Sequence, residues 1–502
     1  MSLNSSQQIK YGALLSYTGI VLYILIGLLY TPWMIRCIGQ AEYGLYTLAY
    51  SIITFFAFDF GISAAVQRFV AKYLAEGSQE KVNQCLSIVY RLYIYIDITI
   101  LAVLTAVYFL IPTIYRELTP VQMEQFKTIY IIASLFSVIS FPFITLNGIL
   151  SAYEKFVQLK ICDLLAKVCT VMTCVICLWL DHGLYALVLT NAIVGLVFVA
   201  VKFIITKKET DVNVDLSIFD RPELKRILSF SGWTMVVALC QRCMFSLAPS
   251  ILGYFESAAA IAVLGIAISL EAYNYTFAYA LNGLFLPKIS RILNDTGNVL
   301  PLMIRVGRIQ IFIIGLVLIC FIFVGKVFIT GWVGGSYSEA YACTLLFIIP
   351  AFFLLPADVA DQTLIASGNV KYRAMVYLIM AAVNLVISFI FTHLWGLLGL
   401  AWSIFIAYMV RNACLYYIYF KKLHIDIYSF IYETYFKMAL GIIVSVVFAI
   451  AINHCIDLSD WPKVIVNGML TAISYIVFMF VLAFNNKERL LILSTLRKLC
   501  KW

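Results

Sequence analysis

Charged residues are scarce in this sequence. Asp, Glu, Lys and Arg make up 12% of the 502 residues, whereas hydrophobic residues make up 63% and the mean hydropathy is +0.97. A soluble domain carries about twice that share of charge, because its surface must be covered with polar groups. The shortage excludes a water-soluble globular protein. We assign the net charge of +9 to loops on one side of a membrane, and we expect no nucleic-acid partner.

Groups that bind metals or perform catalysis are also few. There are only four histidines, none paired at ligand spacing, and no GxxxxGK[ST] phosphate loop. The longest connection, Lys207–Arg226, is too short to fold a soluble domain. Most of the 13 cysteines lie in apolar stretches, where the CxxC pairs at Cys174 and Cys240 are typical of packing. We therefore expect no enzyme activity, no cofactor and no metal site.

The chain instead contains many long apolar stretches. Windows of about 20 apolar residues recur from end to end, and each could cross a hydrocarbon layer of about 30 Å. We predict an all-α polytopic membrane protein with about fourteen transmembrane helices, the first retained from Gly12 onward. Lys and Arg concentrate in the connections after the even-numbered spans, so the positive-inside rule places both termini in the cytoplasm.

The second half of the chain repeats the first at an offset of about 213 residues. Leu15–Gly19 matches Leu228–Gly232, and His182–Leu184 matches Trp395–Leu397. A unit with an even number of helices enters the membrane twice in the same direction, so the copies should be related by a pseudo-two-fold along the membrane normal. The predicted parts are a six-helix N-lobe at residues 1–206, a cytoplasmic linker at 207–226, a six-helix C-lobe at 227–422, two added helices at 423–484 and a cytoplasmic amphipathic tail at 485–502.

Charges inside predicted spans are candidates for function, because a charge at mid-depth costs about 2.5–3.5 kcal/mol on insertion scales. Arg242 is central in the span at Leu228–Tyr254, and the first half shows no equally central cation. Span eight, predicted at Ala258–Leu286, carries polar and aromatic groups that suit a sugar. We predict that Arg242 lines a substrate cavity with Glu271, Tyr273, Asn274 and Tyr279.

Four intramembrane aspartates are candidates for coupling or gating: Asp59, Asp97, Asp358 and Asp361. The alternative for each is a local ion pair with a structural role. Arg411 lies nearer the cytoplasmic end of its span, and we expect its long side chain to reach the membrane surface.

Several stretches resemble one transporter family. LLYTPWMIRCIGQAEYGLYTL and FDFGISAAVQRFVAKY are similar to the first two helices of Wzx-type polysaccharide flippases, which belong to the multidrug/oligosaccharidyl-lipid/polysaccharide exporter superfamily. WVGGSYSEAY and ASGNVKYRA resemble that family's sequence before and after span ten.

The resemblance implies a function. Such flippases move undecaprenyl-pyrophosphate-linked oligosaccharides across the bacterial inner membrane by alternating access, for O-antigen (lipopolysaccharide) or capsule synthesis. It gives Arg242 the role of a cavity cation and makes membrane lipids and a polysaccharide polymerase candidate partners. Coupling to H⁺ or Na⁺ is left open. The alternative function is a cation-coupled drug or metabolite antiporter of the same fold.

Overall fold

The computed structural model describes residues 5–56, 61–218, 220–279, 289, 292, 298–456, 460–485, 488 and 489, and most of them are helical. The expected all-α class is confirmed, and this part of the chain contains no β-strand. The α-helices are α1 (Ser5–Ile38), α2 (Gln40–Phe56), α3 (Ile62–Ala75), α4 (Gln79–Ile114), α5 (Pro120–Ser140), α6 (Thr145–Ala152), α7 (Phe156–Trp179), α8 (Gly183–Glu209), α9 (Arg221–Ser246), α10 (Ala248–Phe255), α11 (Ala258–Tyr279), α12 (Leu300–Val333), α13 (Ala340–Leu354), α14 (Asp358–Ala366), α15 (Val370–Leu423), α16 (Ile427–Ile431), α17 (Lys437–Cys455) and α18 (Trp461–Phe478).

Within the described residues, twelve helical segments are long and apolar enough to cross a membrane. Two places account for the difference from fourteen. The second predicted span is divided between α2 and α3, whose 17 and 14 residues fall short of the about 20 that a crossing needs. α15 counts as one segment of 54 residues, although Gly396 interrupts it with non-helical backbone angles. The count of fourteen stays a prediction.

The chain divides into two compact units. The first unit is Met1–Gly265 with Tyr377–Leu400, and the second is Ile266–Val376 with Ala401–Trp502. Both α11 and α15 contribute residues to each unit, so the units do not follow the predicted lobe boundaries. Those boundaries and the symmetry axis stay predictions. The predicted tail, apart from residues 485, 488 and 489, lies outside the described residues.

The two sequence repeats bend the backbone in the same way. Gly183 and Gly396, which occupy matched positions, both have positive φ, at 63° and 56°. Glu154 and Gly368 also have positive φ and end α6 and α14. In both turns the following N–H returns to a carbonyl five residues earlier, as in a Schellman motif. This shared geometry supports the internal repeat.

In the first unit, α2 packs closely against the start of α11. The Gln40 side chain donates to the carbonyl of Ala259 over 3.3 Å. One turn later, a Cβ added at Gly44 would lie 1.8 Å from the carbonyl oxygen of Ala258. Small residues let membrane helices approach at backbone distance, so this contact requires glycine. It fixes α2, the helix on which several site residues lie.

Replacing Gly44 with alanine should prevent stable packing of α2, because the new Cβ overlaps backbone that cannot rotate away. We expect a loss of at least about 1–3 kcal/mol, the usual cost of overpacking, and little folded protein. Size-exclusion chromatography of a fluorescent fusion measures it. Gly232→Ala is the control, since no atom lies within 4 Å of a Cβ there. Equal yields of the two variants would contradict the contact.

The segment between α8 and α9 is bound along α4. Gln79 donates to the carbonyl of Asp211, and Asn83 and Ser87 accept from the N–H groups of residues 213 and 215. Four helical residues advance about 6 Å. Two extended residues advance about 6.6 Å, so the polar stripe and the strand-like segment keep the same spacing. The predicted linker therefore follows a helix of the first unit.

The start of α9 is fixed by a second polar contact in the first unit. The Tyr73 hydroxyl donates to Glu223 over 2.5 Å, and Arg226 contacts the same carboxylate at 2.9 Å. Burial and the adjacent Glu223 raise the pKa of Tyr73 to about 12, so the phenol keeps its proton. Together with the linker, this contact sets the position of α9.

In the second unit, prolines break the predicted span ten between α13 and α14. Pro356 has no N–H, so it cannot donate to the carbonyl of Phe352 four residues earlier. Tyr435 donates to that carbonyl over 3.2 Å, and Tyr416 donates to the carbonyl of Phe353 over 2.8 Å. Asn412, one turn before Tyr416, donates to the carbonyl of Pro350 over 3.0 Å. Side chains therefore supply the donors that the break removes.

Replacing Tyr416 with phenylalanine should destabilise the second unit by about 1 kcal/mol, because the carbonyl of Phe353 loses a buried donor. Tyr435 also reaches that carbonyl, over 3.3 Å, and limits the loss. Thermal unfolding of the purified protein measures the change. Tyr417→Phe is the matched control, since Tyr417 is exposed and bonds only to Lys421 in the described contacts. A Tyr416 variant as stable as the control would refute this role.

Arg308 joins three segments of the second unit. Its guanidinium pairs with the carboxylate of Glu488 at 2.6 and 3.0 Å and is 3% exposed. It also donates to the carbonyls of Glu433 and Ala483, over 2.8 and 2.6 Å. Those carbonyls belong to the π-helical segments Tyr432–Phe436 and Met479–Ala483. The contacts give Arg308 a structural role.

Candidate functional site

Arg242 lies on α9 in the first unit, and it is half-buried. Its Nη1 donates to the carbonyl of Thr54 over 2.8 Å. Thr54 is two residues from the end of α2, so its carbonyl is one of the last four, which lack a partner within the helix. The negative end of a helix dipole favours a cation at this place. The contact orients the guanidinium without neutralising its charge.

A row of tyrosines on α2 leads to Arg242. Tyr43, Tyr46 and Tyr50 stack in sequence, with ring centroids 6.4 and 6.1 Å apart. Tyr43 is buried, whereas the ring of Tyr50 is 56% exposed. The phenol of Tyr50 lies within electrostatic range of Arg242. The row therefore places an accessible aromatic face next to the cation.

The first unit holds a second intramembrane cation, Lys167, midway along α7. Its Nζ lies 4.9 Å from the centroid of the Tyr23 ring on α1, at cation–π distance. Tyr23 in turn lies within electrostatic range of Tyr50. Arg242, Tyr50, Tyr23 and Lys167 are thus linked by one cation–π contact and by electrostatic interactions, and we name them the cation–tyrosine site.

The expectation that the first half has no central cation was wrong. Lys167 lies inside the predicted span Ile161–Leu180, and the cost of an intramembrane charge applies to it as it does to Arg242. The cost of placing a charge inside the membrane was the signal in the sequence that could have identified Lys167. Lys202, also in the first unit, differs because its Nζ is paired with Asp163 at 2.7 Å and with Asn147 at 3.0 Å.

The predicted residues of span eight belong to the second unit. Glu271 and Tyr273 are half-buried on α11, and Glu271 lies within electrostatic range of Arg411. Asn274 is buried, and neither atom of its amide has a hydrogen-bond partner among the described residues. Buried amides are normally satisfied, so Asn274 is a candidate ligand contact. The side chain of Tyr279 lies outside the described residues.

Arg411 does not reach the membrane surface as expected. It is 4% exposed, donates to the Asn412 amide oxygen over 3.1 and 3.3 Å, and lies 4.4 Å from the Tyr408 ring. These neighbours supply both an acceptor and an aromatic face for the guanidinium, so burial does not leave it without partners. The distance of Arg411 from the end of its predicted span could not by itself have predicted this burial.

The four aspartates differ in their surroundings. Asp59 lies outside the described residues. In the first unit, Asp97 is half-buried on α4, and its Oδ1 is buried without a hydrogen-bond partner among the residues described. In the second unit, Asp358 is buried in the first turn of α14, where the helix dipole favours an anion. Asp361 pairs with Arg373 through both oxygens at 2.9 Å.

Asp361→Asn should destabilise the protein by about 3–5 kcal/mol, because it removes the carboxylate that pairs with the buried charge of Arg373. The side chains of Asp361 and Arg373 are only 8% and 14% exposed. The double variant Asp361→Asn with Arg373→Gln should recover part of the loss in thermal unfolding.

Glu76→Gln is the control for this ion pair. Glu76 pairs with Lys81 at 3.0 Å, but the two side chains are 37% and 56% exposed, so its removal should have little effect on thermal stability. If Asp361→Asn were as stable as the native chain and lost only transport, the structural interpretation of this pair would be refuted.

Sequence comparisons relate the chain to a known protein family and to a bacterial membrane protein. Residues 9–294 match the family described as "Polysaccharide biosynthesis protein". The uncharacterized membrane protein EpsK of Bacillus subtilis (strain 168) is 29% identical over 180 residues, which are 34% of this chain and 34% of that protein. The match therefore spans about a third of the relative's length.

Solved structures share the fold. The lipid II flippase MurJ, in an inward closed conformation, superposes with a TM-score of 0.65 at 16% identity, over 95% of this chain and 98% of that one. An inward-facing multidrug resistance MATE family transporter of the MOP superfamily gives 0.64 at 14% identity, over 83% and 98%. The Vibrio cholerae MATE transporter VcmN, in the bent form, gives 0.56 at 14% identity, over 86% and 99%.

Proposed function

The chain belongs to the polysaccharide biosynthesis protein family, and on that premise we propose that it is a flippase for a lipid-linked saccharide. The substrate we propose is an oligosaccharide joined to undecaprenyl pyrophosphate. The carrying observation is the cation–tyrosine site, which sets two cations beside aromatic rings inside the first unit. A substrate that joins an anion to sugars needs cations for its charge and aromatic rings for its sugars.

Each group of the site suits one part of such a substrate. The guanidinium of Arg242 has a planar fork that can bind two phosphate oxygens at once, whereas the ammonium of Lys167 acts as a compact charge. The faces of Tyr50 and Tyr23 can contact the apolar faces of sugar rings, and their hydroxyl groups can bond at the edges. The pyrophosphate would therefore bind at the cations while the saccharide follows the tyrosines.

A cation-coupled drug antiporter of the same fold is the weaker candidate. A cationic drug would need carboxylates facing it, and none of the four residues of the cation–tyrosine site is acidic. Cations repel a cationic ligand by the same electrostatics that attract a pyrophosphate. The charge of the site favours an anionic substrate.

We further propose alternating access coupled to H⁺ or Na⁺. Asp97 is the first candidate for the coupling carboxylate, because its Oδ1 is buried without a partner among the described residues, whereas Asp361 is held by Arg373. In the second unit, Glu271, Tyr273 and Asn274 are proposed as contacts for a polar part of the substrate. The setting would be a bacterial inner membrane with cytoplasmic termini, where a polysaccharide polymerase uses the product for O-antigen or capsule.

Lys167→Ala should lower export of surface polysaccharide by about tenfold to a hundredfold, the effect of losing one hydrogen bond to a charged group. It should also leave lipid-linked saccharide on the cytoplasmic leaflet. Polymer in a deletion strain carrying each variant measures this, with membrane levels of the protein as reference. Arg242→Ala should act similarly, but it also removes a contact to the end of α2. Lys167 makes no such contact in the described part of the chain, so its variant separates binding from folding.

Two variants complete this test. Arg242→Lys keeps the charge but loses the fork, so it should restore export only in part. Arg221→Ala changes an exposed cation at the start of the same helix and should export normally. Normal polymer in both alanine variants at the cation–tyrosine site, with normal protein levels, would reject the proposed function.

A further inference from the structure

An apolar chamber of about 430 Å³ lies inside the first unit. That volume falls in the range of about 300–1,000 Å³ that small-molecule pockets occupy. Its walls come from α2, the end of α4, the junction of α9 with α10, and α15; they include Ile52, Phe55, Tyr115, Ser246, Leu385 and Phe389. The proposed function does not use this chamber.

The chamber begins at the contacts of Arg242. Phe55 directly follows Thr54, whose carbonyl accepts from Arg242. Ser246 lies four residues after Arg242 on α9, and residues at this spacing share one helix face. One wall of the chamber therefore starts at Phe55, one residue after the acceptor. Another starts at Ser246, about one helical turn after the cation. A ligand bound to Arg242 would have an apolar space within one helical turn.

The lining restricts what the chamber can hold. It is almost wholly hydrocarbon and aromatic, so a sugar would leave its hydroxyl groups without partners there. An apolar chain has no polar group to leave unsatisfied there, and its carbons can pack against the lining in van der Waals contact. The fitting ligand is an amphiphile with an anionic head at Arg242 and a hydrocarbon chain in the chamber.

We propose that the chamber binds the isoprene units next to the pyrophosphate of the lipid carrier. This inference rests on the proposed function, which supplies a pyrophosphate at Arg242. The chamber is not sealed, since Leu385 and Phe389 on α15 are partly exposed. The first units of the chain occupy it while the remainder extends past these side chains into the bilayer.

The test compares farnesyl pyrophosphate with inorganic pyrophosphate as ligands of the purified full-length protein in detergent. Farnesyl pyrophosphate should bind at least tenfold more tightly to the native chain. Leu385→Trp fills the chamber and should remove most of that difference, while the affinity for inorganic pyrophosphate changes less than twofold. Val386→Trp is the matched control, since the neighbouring side chain is 62% exposed and is not part of the chamber wall.

A second pair of variants tests the same chamber in case Leu385→Trp impairs folding. Phe389→Ala opens the wall and should lower the affinity for farnesyl pyrophosphate, whereas Ile390→Ala, at an exposed neighbour outside the wall, should not. If neither Leu385→Trp nor Phe389→Ala alters the farnesyl difference, the chamber is not the chain site and the inference is overturned.

The two proposals fail in different ways. Arg242→Gln should weaken binding of both ligands. If both bind in an Arg242-dependent manner but the wall variants have no effect, the proposed function stands and only the chamber is rejected. If inorganic pyrophosphate does not bind, or binds equally well to Arg242→Gln, the pyrophosphate role of Arg242 fails and the chamber assignment fails with it.

Discussion

In a hydrocarbon layer, a backbone carbonyl that loses its helical donor must find another, because water does not reach it. Several prominent side chains of this protein meet that requirement. Tyr416 supplies a donor at the proline break after α13, and Arg308 supplies donors to two π-helical segments. Arg242 supplies one near the end of α2. Interrupted helices therefore determine where polar and cationic groups can be kept inside this fold.

For Arg242, this structural contact and the proposed binding of an anion do not compete. The carbonyl of Thr54 holds one nitrogen and fixes the direction of the guanidinium, yet a neutral acceptor leaves the positive charge in place. A fixed cation has less side-chain entropy to lose when an anion binds. Lys167 is held differently, by the face of Tyr23, which attracts the ammonium without giving it a preferred hydrogen-bond direction. In the proposed site, one cation is thus oriented before an anion binds, whereas the other can adapt to it.

Hydropathy and length predicted the helical class because each span must satisfy its own backbone. Gly183 and Gly396 occupy matched positions of the repeat, and both adopt positive φ, so the repeat is visible in the backbone as well as in the sequence. Partners were harder to predict, because they depend on which helices meet. Asp361 and Arg373 lie on either side of a helix end, so the sequence did not reveal that the Nε of Arg373 donates to both oxygens of Asp361. Lys167 was recognisable from its position alone, whereas the burial of Arg411 depends on Asn412 and Tyr408.

The chamber beside Arg242 bears on how a flippase could tolerate different saccharides. Sugars vary in their hydroxyl patterns, and a site that bonded every hydroxyl would reject any sugar that lacks one. The joint between a pyrophosphate and a hydrocarbon chain keeps one chemistry whatever sugar it carries. A cation that adjoins an apolar chamber recognises that joint through charge on one side and burial on the other. Tyrosine faces such as Tyr50 add contact without demanding one hydroxyl pattern, so selectivity for the carrier and tolerance for the saccharide can coexist in one unit of the fold.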